Sequence, residues 1–321
     1  MRIDSGEIVF LFGGQGSQLY RMGEELYRQN PVFRHWMERG DAVIRRITGR
    51  SFLHELYEAP HRISEDFDDL ELTHPAIFVY EYALAAALID AGIRPSAVLG
   101  ASLGEVAACA IAGACSFDDV LPALGQQALA LQRGCRAGGM MALMADPATF
   151  SESPVLSRRA ALAGVLGPTH YVIAVPDMWM EDVEAHLRAR KFLYSLLPVR
   201  QPFHSPWVEP LPTGASAALL QVPFSPPRIK VFSSRTASQV LAPDASHLLR
   251  AALDPMRFRD AILEVETLGP SRYVDVTPSG TLANLVTANL AGSASTVLAV
   301  GSPFGREATG LARVLSKLRA A

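Results

Sequence analysis

The chain has 321 residues, 49% hydrophobic and 19% charged, enough apolar material for a large buried core in one domain with an insertion or in two domains. A formal charge of −3 with no run of lysine and arginine excludes electrostatic nucleic-acid binding. The longest apolar stretch, 76–87, is interrupted by Glu81, and the opening MRIDSGE lacks the basic and apolar segments of a signal peptide, so a cytoplasmic protein without membrane contact is expected.

Short β-type runs alternate with helical segments, the pattern of an α/β protein around a mostly parallel sheet. The first strand is IVFLF at 8–12, followed by Gly13-Gly14-Gln15-Gly16-Ser17-Gln18 and a helix from about Arg21. The glycine-rich loop has neither the lysine of a phosphate-binding loop nor the third glycine of a dinucleotide fingerprint, which excludes nucleotide binding. Its glycines instead permit close backbone approach, with the Gln15 N–H able to point into a site. Residues 70–113 read as helix, turn at 92–95, strand at 97–99, sharp turn and helix at 105–112; a further helix covers 117–133. The character changes at 134–139. A strand at 140–144, a helix and a loop, a strand at 171–175 and an amphipathic helix at 180–189 suggest a small inserted α+β unit, with return to the large one near Pro198. Strands at 229–232 and 273–276 and a helix at 308–318 complete the reading. Cys109, Cys115 and Cys135 are odd in number and lack metal-ligand spacing, so reduced core thiols and no metal are expected.

The pentapeptide Gly100-Ala101-Ser102-Leu103-Gly104 falls between the strand at 97–99 and the helix at 105–112, the context of a nucleophile elbow. Side chains at the two glycine positions would collide with the packed strand and helix. The turn places the Ser102 hydroxyl at a helix N-terminus, where free N–H groups and the helix dipole favour the charge that develops in acyl transfer. A serine nucleophile needs a base, and histidine is the usual one near neutral pH. Of eight histidines, His35, His54, His61, His186 and His247 lie in polar or surface-like contexts, His74 at a helix start and His170 in a turn. His204 stands in Gln201-Pro202-Phe203-His204-Ser205-Pro206, where two prolines restrict the backbone.

Together, the motifs at 14–18, Thr73-His74-Pro75-Ala76, Gly100 to Glu105, Gly138-Gly139-Met140, Leu197-Pro198-Val199, Phe203-His204-Ser205-Pro206 and Asp275-Val276-x-Pro278 resemble the acyl-CoA:acyl carrier protein transacylase family, over about 8–290. These are the malonyl transacylases and the acyltransferase domains of polyketide synthases. The resemblance implies an α/β-hydrolase-like large domain (1–136 and 201–321) with an inserted ferredoxin-like small subdomain (137–200) and the active site between them. It further implies Ser102 as nucleophile, His204 as general base and acid, and an oxyanion hole from the N–H groups of Gln15 and Leu103. In this family a backbone carbonyl steers the imidazole, expected here from 276–279, which leaves His74 and Asp275 structural. Ala101, Gln127, Met140, Leu166 and Phe203 would line the substrate pocket.

Family members that load malonyl groups carry an arginine for the free carboxylate, and aligning their Arg-x-x-x-Met-Gln pattern onto 127–132 puts Gln127 there. A neutral amide cannot pair a buried carboxylate, unless Arg133, Arg136 or Arg235 reaches in instead. Ala101, Leu166 and Pro202 also replace more polar or smaller residues near the pocket. This set resembles the trans-acting acyl hydrolases of trans-acyltransferase polyketide synthases. It implies a monomeric enzyme that releases short, uncharged acyl groups from the phosphopantetheine arm of acyl carrier protein, with no bound cofactor. Transfer of a non-malonyl acyl group between carriers is the alternative; retention of Ser102 and His204 argues against a purely scaffolding role.

Overall fold

In the computed structural model, which describes residues 7–212 and 214–319, the strands are β1 (Ile8–Phe12), β2 (Ala97–Gly100), β3 (Gly138–Leu143), β4 (Ala161–Gly167), β5 (His170–Pro176), β6 (Tyr194–Leu196), β7 (Lys230–Ser233), β8 (Ser238–Gln239), β9 (Met256–Arg257), β10 (Arg272–Asp275) and β11 (Thr296–Ala299). One sheet has the order β11-β10-β1-β2-β7-β8. Its strands pair in parallel except β8, which turns back antiparallel on β7. The central strands are continuous apolar runs because both faces of the sheet are covered, as the hydrophobic clusters around Phe10 and Phe12 on one side and Val9 and Leu11 on the other show.

The helix Leu70–Asp90 is, among the described residues, the one long and apolar enough to cross a membrane, but it lies in the protein core against the helices Pro31–Thr48 and Phe117–Gly134. Its Glu81 is fully buried and accepts the Gly13 N–H at 2.8 Å, tying the helix to the glycine loop after β1. Burial pushes the Glu81 carboxyl well above the usual carboxylate range, with the Gly13 bond opposing.

The second sheet has the order β6-β3-β5-β4-β9. From 138 to 196 the chain runs β3, two short helices (Ala148–Glu152 and Pro154–Arg159), β4, β5, the helix Asp177–Ala189 and β6, with antiparallel pairing throughout: the ferredoxin-like arrangement. The fifth strand, β9, lies outside the expected 137–200 unit and pairs in parallel with β4. A Cβ on Gly164 would sit 2.9 Å from the Met256 Cβ, so that glycine is what lets β9 approach. β4 itself stands where the sequence suggested a loop. Its ALAGVLG run has a single β-branched residue, and two register shifts break its alternation. All three cysteines are free, with Cys109 and Cys115 buried and Cys135 partly so.

Candidate active site

The turn after β2 is tight enough to require both glycines of the pentapeptide. A Cβ on Gly100 would lie 2.4 Å from the Glu105 Cα, and one on Gly104 would lie 2.3 Å from the Phe12 carbonyl oxygen. Between them Ser102 adopts a left-handed φ of 56° at the start of the helix Gly104–Ile111, the strained geometry of a nucleophile elbow. Its Oγ lies 2.7 Å from His204 Nε2. The residues expected as nucleophile and base are thus in hydrogen-bond contact.

His204 is buried, with φ 58°, and its Nδ1 lies 2.8 Å from the backbone oxygen of Asp254. A carbonyl only accepts, so Nδ1 carries the proton and Nε2 is left to accept from Ser102. The steering carbonyl therefore comes from Asp254 and not, as expected, from 276–279. The 276–279 turn is committed elsewhere. Thr277 N–H donates to Asp275 Oδ1 at 2.8 Å, and a Cβ on Gly301 would lie 2.1 Å from the Thr277 oxygen and 2.5 Å from that of Pro278, so both carbonyls back onto Gly301. Asp275 is a fully buried anchor that also receives the Ala283 N–H at 2.8 Å, and burial raises its carboxyl to about 6. Burial lowers the His204 pKa, opposed by its bond to Asp254 and by the charges of Glu105 and Asp254, so the ring is neutral at neutral pH and free to accept a proton. Among the described residues, the N–H groups of Gln15 and Leu103 have no acceptor within the protein, and both residues lie beside Ser102.

Two chambers meet at Ser102. The larger, of about 150 Å³, is lined by Ala101, Met140, Leu166, Leu197, Phe203 and Leu285 among others, and is overwhelmingly apolar. The smaller, of about 20 Å³, holds Gln127 with Gln15, His74, Phe203, Leu219 and Leu248. The expected pocket residues are therefore divided: Gln127 faces one chamber, Ala101, Met140 and Leu166 the other, and Phe203 lines both. Among the described residues, no arginine or lysine lines either chamber. Arg133 and Arg136 are exposed, and Arg235 is engaged with Asp254 and His247.

A family model for the acyl transferase domain matches residues 9–317. The chain belongs to the acyl transferase domain family. It is 36% identical over 301 residues to the polyketide biosynthesis acyltransferase homolog PksD of Bacillus subtilis (strain 168), covering 94% of this chain and 93% of that protein. It is 39% identical over 309 residues to BaeD of Bacillus velezensis, described in the same words, covering 96% and 95%. Among solved structures, the acyl transferase domain of SpnD in complex with 2-(pent-4-yn-1-yl)malonyl superposes with a TM-score of 0.90 at 27% identity, covering 100% of this chain and 78% of that one. A loading acyltransferase from the avermectin modular polyketide synthase gives 0.86 at 27% identity, covering 97% and 99%.

In this acyl transferase domain His74, expected to be structural, is part of the small chamber. Its Nε2 lies 3.3 Å from Gln127 Oε1 and its Nδ1 3.4 Å from Gln15 Nε2. With Nε2–H donating to Gln127 and Nδ1 accepting from Gln15, the ring holds both amides, and burial lowers its pKa to about 4. A depressed histidine pKa means that, as pH falls below the ordinary value, the unfolded chain takes up a proton that the folded protein refuses. Stability conferred by His74 is complete above about pH 6.5 and declines toward about pH 4. Asp275, raised by burial, has the opposite slope over nearly the same range and flattens the wild-type profile. His74→Gln keeps a donor and an acceptor but does not titrate. Relative to wild type, its unfolding free energy is expected to improve by about 2–3 kcal/mol between about pH 7.5 and 4.5 in denaturant titrations. A difference constant with pH would show that His74 titrates alike in the folded and unfolded states.

His247, read as a surface-like histidine, is instead buried, with Nε2 2.8 Å from Glu105 Oε2. The signal available was helical spacing: Ala245, Leu248 and Ala251 mark a buried face of the helix Ala245–Leu253. Asp254 contributes its main chain, for which no residue type is diagnostic.

Proposed function

We propose that this acyltransferase-family protein hydrolyses short, uncharged acyl thioesters carried on the phosphopantetheine arm of acyl carrier protein, a proofreading activity in polyketide biosynthesis. The observation that carries the reading is the charge-neutral small chamber, where Gln127 and an uncharged His74 stand and, among the described residues, no cation lines the space. A free carboxylate buried there would lose its hydration without gaining an ion pair, a penalty of several kcal/mol against malonyl and its relatives.

Ser102 Oγ attacks the thioester carbon as its proton passes to His204 Nε2, and the oxyanion is held by the Gln15 and Leu103 N–H groups. Collapse breaks the C–S bond, and His204 returns the proton to the departing sulfur. Water then gives a proton to His204 and attacks the acyl ester; collapse breaks the C–O bond to Ser102, which recovers its proton as the free acid leaves. Throughout, the Asp254 carbonyl stabilises the imidazolium. A thiol in place of that water would give transfer, and the description of PksD and BaeD as acyltransferase homologs favours this as the second reading.

The deciding experiment uses acetyl-loaded and malonyl-loaded carrier protein, with and without an unloaded second carrier, followed by intact-protein mass spectrometry. Hydrolysis predicts release of free acid from acetyl-carrier with the second carrier left unloaded. Movement of acetyl to the second carrier faster than its release would make the protein a transferase.

A further inference from the structure

Behind the dyad runs a buried polar chain that the steps above do not use. Glu105 lies on the nucleophile's own helix, three residues after Ser102, and is 1% exposed. Its Oε1 accepts the Ser233 hydroxyl at 2.8 Å and the Arg235 N–H at 3.1 Å, and its Oε2 lies 2.8 Å from His247 Nε2. The other ring nitrogen, Nδ1, lies 2.9 Å from Arg235 Nη2. A guanidinium only donates, so Nδ1 accepts and Nε2 carries the proton directed at Glu105, which fixes a single neutral tautomer. Arg235 Nη1 then reaches the Asp254 carboxylate at 3.4 Å, and Asp254 supplies the carbonyl that holds His204. The contacts close a ring from Ser102 through Glu105, His247, Arg235, Asp254 and His204 back to Ser102.

Asp254 needs such an anchor. It follows the last residue of the helix Ala245–Leu253 with extended backbone and precedes the two-residue strand β9. Arg250 pairs with both oxygens of the Asp254 carboxylate, more closely than Arg235 does, but from a side chain that is 45% exposed and screened by solvent. Arg235 is 22% exposed and held by a buried histidine, the one of the two that ties Asp254 to the interior.

We propose that Glu105, His247 and Arg235 are positioning residues for the dyad, fixing the Asp254 carbonyl and through it the ring orientation of His204. A carboxylate that never touches the catalytic histidine thereby performs at a distance the orienting task of a triad acid. The inference rests on the Ser102–His204 dyad but not on the identity of the acyl group.

The test pairs a disruptive with a conservative variant. His247→Leu cuts the chain. In His247→Gln the amide oxygen can accept from Arg235 while the amide N–H donates to Glu105. Two readouts are taken: the second-order rate of Ser102 labelling by a fluorophosphonate, which needs no knowledge of the natural acyl group, and kcat and KM for acetyl-carrier. His247→Leu is expected to lower labelling and kcat by about 10- to 100-fold with KM within about threefold, the scale of a misplaced catalytic group. His247→Gln is expected to recover to within about threefold of wild type. Arg235→Met should match His247→Leu, and the double variant should be no worse than either, since both break one path. Wild-type labelling in folded His247→Leu, or equal losses in the Leu and Gln variants, would overturn the proposal. Should His247→Leu fail to fold, wild-type labelling in Arg235→Met would overturn it equally. Wild-type protein that resists labelling would remove the dyad and this inference together; the expected pattern of labelling without carrier hydrolysis would support the network and sink only the hydrolase reading.

Discussion

Ser102→Ala is expected to eliminate acyl-enzyme formation and lower thioester turnover by about 10⁴-fold or more, the scale seen when a serine nucleophile is removed from an intact site. The variant should remain folded, because the Ser102 hydroxyl has its side-chain contact with His204 alone among the described residues, and alanine replaces serine at the same strained backbone position. His204→Ala makes the sharper prediction. Without the imidazole, Ser102 retains the elbow and the unpaired N–H groups of Gln15 and Leu103, so slow acylation by a reactive thioester persists, whereas the water that must attack the ester has no base. The acyl adduct should therefore accumulate on Ser102 in His204→Ala and be resolved in wild type. Mass spectrometry of protein incubated with acetyl-carrier reads this directly, and unchanged turnover in either variant would refute the dyad. Burial depresses the His204 pKa, so wild-type activity should fall only when the solution is acidic enough to protonate a ring that resists protonation.

The parts of this site that the sequence made legible are those written in contiguous residues. Gly100 and Gly104 are needed where backbone meets backbone, so the elbow can be read from five letters. His204 is set off by its flanking prolines, although the same sequence gave no clue that its partner would be the Asp254 carbonyl. A main-chain oxygen leaves no signature in a side-chain alphabet, and the 276–279 turn that the family resemblance pointed to instead packs its Thr277 and Pro278 carbonyls against Gly301. The division of the pocket was hidden for a different reason. Gln127 and Met140 are close in sequence, but they lie on a helix of the large part and a strand of the small one, and the side chains of Phe203 and Ser102 stand where their chambers meet. β4 escaped because its small residues carry little strand propensity, and it forms through pairing with β5 and β9, a tertiary effect that local pattern does not encode.

Gln127→Arg is expected to raise the ratio of malonyl to acetyl processing by about 10- to 100-fold, the value of a buried charge-assisted pair after the cost of fitting the longer side chain. The mechanism runs through His74. In wild type its Nε2–H donates to Gln127 Oε1; an arginine only donates, so the imidazole must move its proton to Nδ1 and accept through Nε2. Gln15 can follow, because turning its side-chain amide presents Oε1 to Nδ1 in place of Nε2. The chamber thus has a tautomer that welcomes a guanidinium without an added counter-charge, and the substrate's carboxylate supplies the missing one. Val106, Leu219, Leu248 and Ala252 close the same space with apolar groups, so the arginine is uncompensated until malonyl arrives. The variant should accordingly be less stable than wild type when empty and recover stability once a malonyl ester is trapped on Ser102, a difference that thermal unfolding of acylated and free protein reports. A malonyl-to-acetyl ratio unmoved by the substitution, in protein that remains folded, would mean that the acyl group never enters the chamber where Gln127 stands, and selectivity would then have to reside in the apolar chamber lined by Met140 and Leu166.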